Sequence, residues 1–135
     1  RRPAMQIGSE RRQHERYLLP SMYTAIDIRP GEEDEFRFSG HAYDLSVGGM
    51  RFELDEPIEP GSEIGVRITL PGAEHLRPMH RKPIYALATV VWVEQDDLES
   101  GGPVRMACVF KTFCQLGDKE RLEARLKSGR YSLAA

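Results

Sequence analysis

Phe36-Arg37-Phe38-Ser39-Gly40-His41-Ala42-Tyr43-Asp44 and Met50-Arg51-Phe52-Glu53-Leu54 flank the short segment Leu45-Ser46-Val47-Gly48-Gly49. On either side of that segment residue character alternates with a period of two, which predicts two half-buried strands: Phe36, Phe38, Gly40 and Ala42 on one face, and Met50, Phe52 and Leu54 on the other strand's buried face. The intervening Ser-Val-Gly-Gly is turn chemistry, with glycines free to turn tightly, adopt positive φ and approach another group closely. A strand-turn-strand unit is therefore the nucleus of the fold.

The same pattern continues on both sides. Met22 to Ile28 is rich in β-formers and reads as the first strand, ended by Arg29-Pro30-Gly31. Glu32-Glu33-Asp34-Glu35 is then a solvated hairpin loop, with an electrostatic role against upstream arginines as the sharper alternative. Ile64 to Leu70 is a fourth strand, Ile84 to Val93 a fifth, and Val104 to Phe110, after Gly101-Gly102-Pro103, a sixth. The Pro71 to Pro83 loop carries His75, Arg77, His80, Arg81 and Lys82, a solvated loop or a second basic contact surface. Its histidines lack the carboxylate or cysteine partners of a zinc site. Asp118 is placed to cap a helix over 118–128, with Leu122 and Leu126 at helical spacing and Gly129 beyond. The expected fold is mainly β, six strands and one C-terminal α-helix, with tails at 1–9 and 130–135.

Composition narrows the function. The chain of 135 residues is the size of one domain, with 40% hydrophobic and 30% charged residues. No apolar run is long enough to span a bilayer and no signal-like segment opens the chain, so a cytoplasmic protein without membrane insertion is expected. A net charge of −2 disfavours a long nucleic acid. Residues 1–19 nevertheless hold Arg1, Arg2, Arg11, Arg12 and Arg16 against Glu10 and Glu15, an excess suited to a small anion. Cys108 and Cys114 read as packing thiols of a reducing compartment.

The chemistry concentrates in two places. Arg11, Arg12 and Arg16 each present a planar, permanently charged fork that matches a phosphate or the O6/N7 edge of guanine. Asp44 accepts only, which suits the N1–H and N2–H donors of guanine, and the Ser46 hydroxyl can donate or accept. Asp44 and Ser46, two apart in an extended segment, share a face. The blander readings are exposed arginines in weak surface ion pairs and a turn whose Asp and Ser bond their own backbone. Trp92 is either a barrel residue supplying buried area or a platform for a guanine. His14 reads as a spacer.

Arg12-x-x-x-Arg16 followed by Asp44-x-Ser46-x-x-Gly49 resembles the signature of the PilZ domains, bacterial receptors for cyclic di-GMP, and the likeness spans about Glu10 to Lys127. It implies a six-stranded antiparallel β-barrel followed by a helix, a domain over 10–129, and an arginine-rich ligand loop at 10–19. It further implies ligand contact by Arg11, Arg12, Arg16, Asp44, Ser46, Gly49 and Trp92, with Arg11 favouring a stacked pair of ligands. Cyclic di-GMP is then ligand rather than cofactor, and a downstream protein partner in motility, biofilm or virulence control is expected. Ala107 departs from the glycine many members carry. An enzyme would need metal-binding clusters or an activated nucleophile, and neither is legible. The alternative is a ligand-independent interaction module on the same barrel.

Overall fold

The computed structural model describes residues 14–19, 24–71, 82–94, 103–128 and 131–133. Strands β2 (Ala25–Pro30), β3 (Phe38–Leu45), β4 (Gly49–Leu54), β5 (Glu63–Thr69), β6 (Ile84–Glu94) and β7 (Val104–Phe113) precede helix α1 (Asp118–Leu126). Two two-residue strands, β1 (Tyr17–Leu18) and β8 (Ser132–Leu133), complete the described elements. The order β2-β5-β6-β7-β4-β3, with β2 also pairing β3, closes a six-stranded antiparallel barrel. Closure leaves the barrel strands without a free edge.

Alternation explains the interior. Ile26 and Ile28, Met50, Phe52 and Leu54, Ile64, Val66 and Ile68, and Val104, Met106 and Cys108 all point into one core. Helix α1 closes one end of the barrel by adding Leu122 and Leu126, four apart and both buried, to that core. Gly40 sits where β3 crosses closest to β4: a Cβ there would lie 2.0 Å from the Glu53 carbonyl oxygen.

Several expectations need correction. The first strand does not stop before Arg29: Arg29 and Pro30 belong to β2, which pairs β5 as far as Pro30↔Ile64. The expected sixth strand, β7, runs three residues past Phe110, to Phe113. Gly117, at φ 86° in the left-handed region, is the N-cap, and Asp118 is the first helical residue, turned inward and buried. The C-terminal stretch is not merely a tail: β8 pairs β1, with Tyr17↔Leu133 and Leu18↔Ser132. The acidic loop is tied down locally, since Arg29 Nη1 donates to the Glu33 carbonyl (2.9 Å) and Glu33 pairs with Arg37 (3.1 Å). The expected tail 1–9, Gly129 and residues 72–81, with His75 and His80, lie outside the described residues.

The two cysteines divide. Cys108 is buried, and burial pushes its thiol up to about 12, whereas Cys114 is exposed and not a packing thiol. Because the thiolate is the reactive form, an aromatic disulfide reagent at pH about 8 should label one thiol per chain quickly and the second only on unfolding. Two fast equivalents would contradict the buried placement.

Candidate functional site

The turn between β3 and β4 is built by Ser46. Its hydroxyl oxygen accepts from the Gly48 N–H (3.0 Å) and the Gly49 N–H (3.2 Å), while its own N–H donates to the Gly49 carbonyl (2.9 Å). For Ser46 the turn reading is thus realised, with the residue almost wholly buried. Neither Gly48 nor Gly49 uses positive φ, which among the described glycines occurs at Gly61 and Gly117. Gly49 is required for close approach instead: a Cβ there would stand 2.3 Å from the Cys108 carbonyl oxygen of β7.

Two β-bulges decide which side chains face the site. Pairing of β3 with β4 shifts between Ala42 and Asp44, so Tyr43 is the extra residue. Strict alternation from Ala42 would point Asp44 into the core; the bulge puts it outside, opposite Arg51. Likewise β6 and β7 shift between Val90 and Trp92. Val90 remains in the core while Trp92 reaches the outer face, 37% exposed, and is not the buried barrel residue simple alternation favours. The registers then align Leu18, Asp44, Arg51, Ala107 and Trp92 as one lateral row across β1, β3, β4, β7 and β6.

Asp44, Arg51, Ala107 and Trp92 of that row floor a cleft of about 460 Å³ that Arg16, Ser46, Gly49 and His14 also line. Arg16 arrives on the chain entering β1, with its Nη1 3.8 Å from Asp44 Oδ2. Arg51 Nε stands 3.5 Å from the same oxygen, and the Arg51 guanidinium lies over the Trp92 ring at 6.0 Å from its centroid. One buried carboxylate is thus bracketed by two guanidiniums. Beside it, burial pushes the Tyr43 phenol up against the opposing pull of Arg105 and Arg51, so Tyr43 stays neutral.

The structure therefore brings together Arg16, Asp44, Ser46, Gly49 and Trp92. Arg11 and Arg12 lie outside the described residues. Arg51 was not singled out in the sequence, and His14, read there as a spacer, lines the same cleft. Arg51 could have been found from its place two residues after Gly49 on the outward phase of a strand. Among the described residues there is no cluster of three or more His, Cys, Asp or Glu able to hold a metal, and no helix long and apolar enough to cross a membrane.

A closed antiparallel barrel with one helix across its end, and a polar cleft beside a D-x-S-x-x-G turn, defines a small β-barrel domain with a candidate ligand cleft. The PilZ domain pattern matches residues 10–128, and the chain belongs to the PilZ family. Similar solved structures are the Bacillus subtilis inhibitor of motility MotI/DgrA, at 23% identity and TM-score 0.59, and Klebsiella MrkH in complex with cyclic di-GMP, at 20% and 0.63. The PilZ domain of Escherichia coli YcgR with cyclic di-GMP is similar at 15% and 0.59. The alignments cover 86%, 87% and 87% of this chain and 49%, 50% and 92% of MotI, MrkH and the YcgR domain respectively. The chain thus spans about half the length of the first two proteins. No curated protein matches at the sequence level.

Proposed function

We propose that this protein is a cytoplasmic, non-enzymatic receptor for cyclic di-GMP. The observation that carries the reading is the convergence, in one cleft of a PilZ barrel, of Arg16 from the first motif with Asp44 and Ser46 from the second. Two of the similar structures hold cyclic di-GMP, which gives the cleft a ligand of fitting chemistry. Asp44 accepts from the N1–H and N2–H edge of a guanine, and Arg16 meets phosphate or the O6/N7 edge. Arg11 and Arg12 add charge for the remaining phosphate, with Arg11 directing capture of a stacked ligand pair. Ligand binding fixes the arginine segment over the cleft, and that ordering is the signal read by a downstream protein.

Isothermal titration of cyclic di-GMP, with GTP and cyclic GMP as controls, tests this. Wild type should bind selectively, and Arg16→Ala and Ser46→Ala should each weaken binding by about 1.5 kcal/mol or more through lost charge-assisted or buried hydrogen bonds. A folded wild type that takes up no nucleotide would sink the reading. One ligand per chain would refute the stacked pair alone.

A further inference from the structure

Arg51 stands outside both motifs yet occupies the middle of the cleft floor. It lies between Asp44 on β3 and Ala107 on β7, with Trp92 next along the same row. Resting on the receptor reading above, we propose that Arg51 and Trp92 are the two walls of a slot that holds one guanine of the ligand, with Ala107 as its floor and Asp44 outside it, holding the far side of Arg51.

The two side chains already face each other, with Arg51 Cζ 6.0 Å from the Trp92 ring centroid. A flat base needs about 3.5 Å on each side, so Arg51 has to swing aside to admit one. That opening is within reach of the side chain. Arg51 is 41% exposed, and its contact with Asp44 Oδ2 is 3.5 Å, longer than a tight charge-assisted hydrogen bond. The strands beneath are fixed in register by β4–β7 and β6–β7 pairing, so the walls adjust while the floor stays put. Ala107 matters because of what it lacks: it is buried under the two large side chains, and a longer residue there would fill the space between them.

A stacked planar cation differs from a point charge. Guanidinium lies flat on an aromatic face and an ammonium does not, so Arg and Lys separate the two roles. Trp92 is the only tryptophan, so its emission reports the slot without labels. Titration of cyclic di-GMP should quench Trp92 emission in wild type. Arg51→Ala should bind about tenfold more weakly, equivalent to about 1.4 kcal/mol, and Arg51→Lys should recover only a minor part of that loss. Ala107→Leu, which leaves every charge in place, should weaken binding at least as much and abolish the quench. Wild type that binds with unchanged Trp92 emission, Arg51→Ala that binds within twofold of wild type, or Arg51→Lys equal to wild type would overturn the slot while leaving the receptor intact. A wild type that does not bind cyclic di-GMP would defeat the receptor reading, and the slot with it.

Discussion

Gly49→Ala is expected to lower stability by about 3 kcal/mol, the upper end of the cost of overpacking, and to drop the melting temperature by about 10 °C. The added methyl would stand 2.3 Å from the Cys108 carbonyl oxygen and 3.3 Å from Val109 Cα, both backbone atoms of the neighbouring strand. Neither can step aside without breaking the Gly49↔Val109 and Met50↔Cys108 pairs that join β4 to β7. Gly48→Ala is the built-in contrast. Its Cβ would meet His14 Cδ2 at 2.7 Å, but that is an exposed side chain free to rotate away. Thermal melts of the two variants should therefore separate by most of the Gly49 effect. Equal melts would mean that the last glycine of D-x-S-x-x-G is not there for strand packing.

This distinction bears on what could be read from the chain alone. Six strands and a helix followed from apolar alternation, because Ile26/Ile28, Phe52/Leu54 and Ile64/Val66/Ile68 keep strict phase. The motif residues were legible by type and spacing. Their orientation was not, because two unmarked bulges at Tyr43 and Val91 reverse the phase of Asp44 and Trp92. Nothing in Ala-Tyr-Asp or Val-Val-Trp announces an extra residue; the partner strand decides it. Arg51 was missed for a related reason, since its place between Asp44 and Trp92 exists only once β3, β4, β7 and β6 lie side by side. The β1–β8 pairing was equally invisible, being two residues long at each end of the chain.

Asp118→Ala should be the other severe substitution, destabilising by about 3 kcal/mol although the residue lies far from the motifs in sequence. Its carboxylate is 1% exposed, accepts from the Tyr85 N–H at 3.0 Å, and forms a close ion pair with Arg121 Nη2. Removing it strands a part-buried backbone donor on β6 and a guanidinium that also donates to the Lys82 carbonyl at 3.1 Å. Asp118→Asn keeps an acceptor for Tyr85 and loses only the charge, so it should cost about half as much. Equal losses in the two variants, read from denaturant melts, would place the stabilisation in the ion pair and not in the hydrogen bond to β6. The consequence reaches the cleft through the helix. Asp118 pins the start of α1 to β6, and at the other end of the helix Leu126 and Lys127 line a cavity of about 190 Å³ with His14, Glu15 and Tyr17. Those three residues flank Arg16 in the chain, so a helix loosened at its first turn disturbs the wall it shares with them. The Asp118→Ala variant should then bind cyclic di-GMP more weakly than its remaining folded fraction alone explains, and affinity that scales with folded fraction would show that α1 supports the barrel only.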